Sequence, residues 1–404
     1  MTTAGRPAHS KLSLLLGVLS TVGPYTIDAF FPSLRAIGAE FHVSNWQAQQ
    51  LLTAFMVPYA CMSLVHGTLS DALGRRRVVL VALGIYSLAS LGCTLAPSFP
   101  VLLTFRFLQG VTAGSGQIVG RAIVRDRYSG AEAQRLMSAI VMIFGLGPAL
   151  APIVGGWVHV LFGWRAVFGT MALLGVVLVG ASWRQLPETH PPQKRALLQL
   201  RSLTRHNLAV ARNREFLLLA IGTGACFMGM QAYIASAPAI ILDHWGLTET
   251  EFAALSLPII SGYTLSAYLS GRLAGRMAPD RQARLGFSLL AVGAAGMLTL
   301  QYLRPSPPVY AQQLCLLVLA VGLQLMYPVI ALRILDMFPD SRGTASSMQA
   351  FFSLLMAGTT MGAIAPAVSA TMLRLSTVSF LAILAGTLLW LCAGRYRVEP
   401  RPAA

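Results

Sequence analysis

The stretch YTIDAFFPSL, residues 25–34, sets a carboxylate, Asp28, in a run that is otherwise almost wholly apolar from Leu12 to Leu34. A second charge opens the stretch RFLQGVTAGSG, where Arg106 begins an apolar segment that runs on toward Gly120. A carboxylate removed from water can take up and release a proton as its surroundings change, whereas a guanidinium keeps its charge. An ionisable group inside hydrocarbon is costly unless it faces protein or water, so both residues point to a working site. The other acids are Glu40, Asp71, Asp126, Glu132, Glu188, Glu215, Asp243, Glu249, Glu251, Asp280, Asp336, Asp340 and Glu399, all in loops, termini or segment ends. His66, His159 and His244 also lie near segment ends. Asp28 is therefore the candidate for carrying a proton. Its other possible use is to cap a first helix broken between Pro24 and Pro32 by accepting from backbone N–H groups. Arg106 has two readings as well. It either snorkels to the surface from just beyond Pro97 and Pro100, or turns inward to a partner in protein or water.

Other chemistry is hard to find. There is no HExxH, no phosphate-cradling glycine loop and no Cys/His set at metal spacing, and the five cysteines sit singly in apolar segments. No metal or cofactor is expected. The net charge of +16 comes without a basic face interleaved with aromatics, so nucleic acid is not an expected partner. With 55% hydrophobic and 11% charged residues and a mean hydropathy of +0.65, the chain is expected in membrane lipid.

Twelve apolar segments can position these residues, from 12–34 to 374–393, each close to the length that spans a hydrocarbon core of about 30 Å. The expected fold class is all-α, a polytopic membrane protein of twelve transmembrane helices. Of the 30 Lys and Arg, 25 fall on one side of such an arrangement and only Arg35, Arg165, Arg304 and Arg374 on the other, so both termini are expected in the cytoplasm. The longest basic gap, 184–214, contains Pro187, Pro191 and Pro192. It divides the chain into an N-terminal bundle, 1–183, a cytoplasmic linker, and a C-terminal bundle, 215–404. Part of the linker, KRALLQLRSLTRHNLAV, suits either a surface-lying amphipathic helix or a plain tether. HGTLSDALGRRR after the second segment and SGRLAGRMAPDR after the eighth suggest that the halves are repeats.

Four stretches carry a family resemblance. GTLSDALGRRR, 67–77, is similar to the signature loop of the major facilitator superfamily, and RFLQGVTAGSG to its fourth-helix motif. GLGPALAPIVGG, 145–156, resembles the fifth-helix motif of antiporters, and TIDAFFP, 26–32, the first-helix pattern of the bicyclomycin and chloramphenicol resistance type. Phe30 stands where that type usually has tyrosine, and Ala151 replaces an expected glycine. From the residues themselves, Gly67 would let helices approach and Gly74 would allow a sharp turn. Asp71 lies beside a crowd of cations, and Arg75, Arg76 and Arg77 would either anchor the loop at the cytoplasmic surface or pair with carboxylates or helix C-termini of another segment in one conformation and part from them in another. Gly145, Gly147, Gly155 and Gly156 would clear one helix face while Pro148 and Pro152 bend it.

The resemblance implies a transporter rather than an enzyme, in a bacterial-type inner membrane, working as a monomer. Its fold would be two six-helix pseudo-repeats around a central cavity, with the fifth-helix motif as a seal between the halves and Arg106 facing the cavity, where Gln109 would share its hydrogen bonds and the guanidinium would tune the coupling carboxylate. It implies export of small amphipathic drug-like molecules against a proton flow. Tyr25, Phe30, Tyr59, Gln109, Met142, Gln231, Tyr233, Tyr263, Tyr327 and Phe351 are the candidate substrate contacts. Export of an endogenous metabolite, proton symport of a nutrient, and a transport-derived sensor or scaffold are the competing readings.

Overall fold

The computed structural model describes residues 6–128, 130–195, 200–248, 250–273, 276–304 and 306–396. The side chains of Met142, Gly145 and Pro148, named above, lie outside the described residues, as does 196–199 of the linker. Among the described residues the regular structure is entirely helical.

The helices are α1 (Arg6–Asp28), α2 (Leu34–Glu40), α3 (Asn45–Ser63), α4 (His66–Leu73), α5 (Arg75–Thr94), α6 (Phe99–Ala113), α7 (Ser115–Arg127), α8 (Gly130–Phe162) and α9 (Trp164–Gln185). They continue as α10 (Leu200–Ala211), α11 (Arg214–Ala235), α12 (Ala253–Leu273), α13 (Pro279–Leu303), α14 (Val309–Asp336), α15 (Arg342–Thr359), α16 (Ala365–Val368) and α17 (Met372–Ala393). Among the described residues eight stretches are long and apolar enough to cross a membrane, or nine if the pair α3 and α4, bent by 56°, counts as one. The sequence suggested twelve. Two of the three differences have local causes: the chain breaks at Gly114 into α6 and α7, each too short alone, and the serines, glycines and tyrosines of α12 lower its hydropathy, while the third falls on α8, only part of whose side chains lie among the described residues. Among the linker's readings, residues 200–211 do form a helix, α10.

The chain divides into two compact units. One comprises Met1–Gln199 with Ile241–Ser256, the other Leu200–Ile240 with Leu257–Ala404. Without a hydrophobic drive between helices in lipid, close backbone approach through small residues supplies much of the packing. In the first unit α1 packs on α8, α3 on α6 and α5 on α9. A Cβ added at Gly110 would lie 2.2 Å from the Phe55 carbonyl oxygen, and one at Gly116 2.6 Å from that of Leu19. In the second unit α11 packs on α17 and α13 on α14. There a Cβ at Gly386 would lie 2.5 Å from the Gly222 oxygen, and one at Gly262 2.7 Å from that of Leu317.

Gly155 on α8 is the tightest of these contacts. A Cβ there would sit 1.7 Å from the Ala29 oxygen, and one at Gly147 3.1 Å from Thr21 Cβ. Pro152 and Gly156 are buried on the same helix. Gly147 and Gly155 thus seat α8 on α1 and the residue after it, inside the first unit. Backbone cannot yield as a flexible side chain can, so Gly155→Ala is expected to cost about 1–3 kcal/mol. The check is a lowered Tm of the purified protein, with Gly155→Leu lower still and without transport. A Tm unchanged by alanine would contradict the contact.

Candidate functional site

Asp28 is the last residue of α1, followed by a break and a 3-10 turn at Phe31–Ser33 around Pro32. The caps of the two short helices after it are Phe30 and Ser33, and neither helix takes a side-chain cap bond. The capping use of Asp28 is therefore not realised. Its side chain is partly accessible and has no hydrogen-bond or ion-pair partner among the described residues.

Arg106 lies in α6 and is 0% exposed, so it does not snorkel. Its Nε donates to the Leu51 carbonyl at 3.1 Å, and its Nη1 to the Thr26 carbonyl at 3.3 Å and to Gln109 Oε1 at 3.0 Å. Thr26 sits in the last turn of α1, where carbonyls run out of helical partners and a cation is favoured. The guanidinium carbon lies 4.3 Å from the centre of the Phe30 ring, 4.7 Å from Phe55 and 5.8 Å from Phe168. Such aromatic faces attract a desolvated cation. Gln109 Nε2 donates in turn to Ser90 Oγ at 2.7 Å, and Thr26 Oγ1 and the Tyr86 hydroxyl share a bond of 2.5 Å. α6 comes close enough for this because Gly110 has no side chain.

Two expectations are corrected here. Arg106 does not face a cavity or pair with Asp28; it holds the end of α1 through the carbonyl two residues before Asp28 and the ring two residues after. Phe30 and Gln109, both 0% exposed, are parts of this cage rather than substrate contacts. Tyr59, 4% exposed, points its hydroxyl to Gln117 Oε1 at 3.1 Å, and Tyr233, 0% exposed, is sealed in the core of the second unit. Of the remaining candidates, Tyr25 in the first unit and Gln231, Tyr263, Tyr327 and Phe351 in the second are partly accessible. Tyr327 meets Phe227 edge-on, with ring centres 5.4 Å apart.

The signature loop is built around one buried cation. Gly74 has φ +99°, a left-handed conformation that favours glycine, and turns the chain from α4 into α5. The Arg75 side chain, 9% exposed, reaches Asp71 Oδ1 at 2.5 Å, Asp126 Oδ2 at 3.2 Å and Ser70 Oγ at 2.5 Å. Arg76 instead lies over the Trp183 ring and donates to the Trp183 carbonyl. Gly67 does not mediate helix approach, because a Cβ there would meet nothing within 4 Å. Sequence reasoning placed Asp126 and Glu188 among the loop acids without a role, yet both bind Arg75. The available signal was an acid set among arginines in RDRYSG. Among the described residues no group of three or more His, Cys, Asp or Glu is placed to hold a metal.

A polytopic helical chain with paired acids and arginines at one helix turn and a buried arginine in a span is the architecture of a membrane carrier. The profile of the Major Facilitator Superfamily matches residues 14–360, and the chain belongs to that family. It is a secondary active transporter, not an enzyme. It is 32% identical over 295 residues to the uncharacterized MFS-type transporter YdgK of Bacillus subtilis, covering 72% of each chain. To the bicyclomycin resistance protein homolog of Haemophilus influenzae it is 26% identical, covering 68% of this chain and 69% of that one. To multidrug resistance protein D of Escherichia coli it is 28% identical, covering 66% and 67%. Among solved structures, a bacterial homolog of the human lysosomal transporter Spinster, inward-facing and occupied, superposes with a TM-score of 0.77 at 18% identity over 99% of this chain and 100% of that one. A D-xylose–proton symporter gives 0.73 at 14% identity over 95% and 97%. These two likenesses concern the fold.

Proposed function

We propose that this chain is a proton-coupled antiporter that exports small amphipathic, drug-like compounds by alternating access. The observation that carries the reading is Asp28: a carboxylate at a broken helix end, next to residues that hold the Arg106 guanidinium through its Nε and Nη1, with no partner of its own among the described residues. A group so placed is free to exchange a proton or meet a cationic substrate. Protonation from outside releases the substrate, and deprotonation toward the cytoplasm readies the site for another load. Arg106 acts by positioning: it holds the Thr26 carbonyl before Asp28 and the Phe30 ring after it. Asp71, Gly74, Arg75 and Arg76 gate the cycle through ion pairs that differ between states. Tyr25, Met142, Gln231, Tyr263, Tyr327 and Phe351 are the proposed substrate contacts, since aromatic and thioether surfaces suit varied amphipathic molecules.

The same reading takes the chain as twelve crossings of a bacterial inner membrane, monomeric, with cytoplasmic termini and the bundles 1–183 and 215–404 joined by the linker 184–214. The names of the bicyclomycin and multidrug resistance relatives support export of drug-like compounds. The test is a compound panel in everted membrane vesicles carrying a pH gradient. Gradient-dependent accumulation of at least one amphipathic compound is expected. Accumulation only in right-side-out vesicles, driven by inward protons, would identify a symporter instead.

A further inference from the structure

The chain leaving α9 does not simply depart into the linker. Within the first unit, Glu188 Oε1 accepts the backbone N–H of Arg75 at 3.0 Å, at the first turn of α5, and the N–H of His190 at 2.9 Å. Thr189 Oγ1 donates to Asp126 Oδ2 at 2.8 Å, the oxygen that also receives Arg75 Nε at 3.2 Å. Arg195 closes the turn, with Nη2 3.9 Å from Glu188 Oε2 and Nε 3.4 Å from the His190 carbonyl. A Cβ added at Gly74 would lie 2.6 Å from both Arg195 Nη2 and Glu188 Oε2, so this segment lies directly on the signature-loop turn. Leu186, 3% exposed, anchors its start.

We infer that residues 188–195 form a strap on the gate, and that Glu188 is a positioning residue for Arg75. Glu188 fixes the main chain of Arg75 while Thr189 orients the carboxylate that binds its side chain. Negative charge at a helix start is favourable, and a charged acceptor makes a stronger bond than a neutral one. The strap thus stabilises the arrangement of Arg75 seen here. A state in which Arg75 leaves Asp126 gives up the alignment that the strap supports from both sides, so the start of the linker biases the conformational equilibrium that drives transport.

This inference rests on the reading of the signature loop as a gate, and the experiment separates the two. Double electron–electron resonance between one spin label in each half gives the populations of the alternating states, and thermal unfolding gives stability. Glu188→Ala is expected to shift the populations about fivefold or more, a typical size for coupling within one protein, with Tm nearly unchanged. Glu188→Asp, which keeps the charge, recovers most of the shift, and Thr189→Val moves the populations the same way by less. Arg75→Ala is the reference. If it shifts the populations and Glu188→Ala does not, the strap is overturned and the gate stands; if Arg75→Ala itself shifts nothing, the gate reading fails. A lower Tm for Glu188→Ala with unchanged populations marks a structural contact only and overturns the proposal. Should the alanine variant fail to insert, Glu188→Gln is judged by the same two readouts.

Discussion

Replacement of Asp28 by Asn is expected to abolish concentrative export driven by a pH gradient, while the protein inserts and folds normally. Asn has nearly the shape of Asp and cannot titrate within the working range. Because the Asp28 side chain makes no hydrogen bond or ion pair among the described residues, the substitution removes no contact that stabilises α1. The change in stability should fall within about 1 kcal/mol, as for positions away from packed or bonded features. Purified Asp28→Asn reconstituted in proteoliposomes is therefore expected to keep its Tm and its capacity to bind substrate. It loses only accumulation against the substrate gradient. A substantially lower Tm would mean that Asp28 holds the fold, contrary to its isolation at the end of α1.

Arg106 predicts the opposite pattern, with stability affected first. Arg106→Ala leaves the Leu51 and Thr26 carbonyls and Gln109 without their donor and opens a space between the rings of Phe30, Phe55 and Phe168. Losing bonds from a buried charge together with packing of this size costs about 3–5 kcal/mol, a large share of a typical total. Arg106→Lys keeps the charge but not the planar fork that serves two carbonyls and an amide at once, so it should recover only part of the loss. Yield in the membrane and Tm in detergent are the measurements. An Arg106→Ala protein with normal Tm and defective transport alone would show that the guanidinium works by facing substrate rather than by holding α1.

These two residues also show what the sequence disclosed. Asp28 and Arg106 stood out because a charge in an apolar run needs a physical reason, and that holds without any structure. The partners of Arg106 did not stand out. Two are backbone carbonyls, which every residue carries, and three are phenylalanines, one from the break after α1 and two from α3 and α9, indistinguishable in sequence from the chain's other phenylalanines. Phe30 illustrates the difficulty: it read as a missing hydroxyl, and it is a ring beneath the guanidinium. Gln109 and Tyr233 suggested a polar site, but helix rotation, which short-range pattern fixes poorly, turns both into the interior. The Gly74 turn was legible because it is local, and the closeness of Asp71 to Arg75 follows from their spacing of four residues on one stretch, although the arginines were expected to pair with another segment. Asp126 and Glu188 reach Arg75 from 51 and 113 residues away, where spacing gives no guide. The fifth-helix glycines were recognisable as a packing face, but which neighbour they pack on follows only from the path of α1.

Proton release measured directly tests the account most sharply. The purified transporter is held in weakly buffered detergent with a pH-sensitive dye, and the compound selected by the everted-vesicle panel is added. The wild-type protein is expected to release protons as substrate binds, with little release from Asp28→Asn at matched occupancy. Equal release from both proteins would place the exchanged proton on another group and contradict the assignment of Asp28 as its carrier.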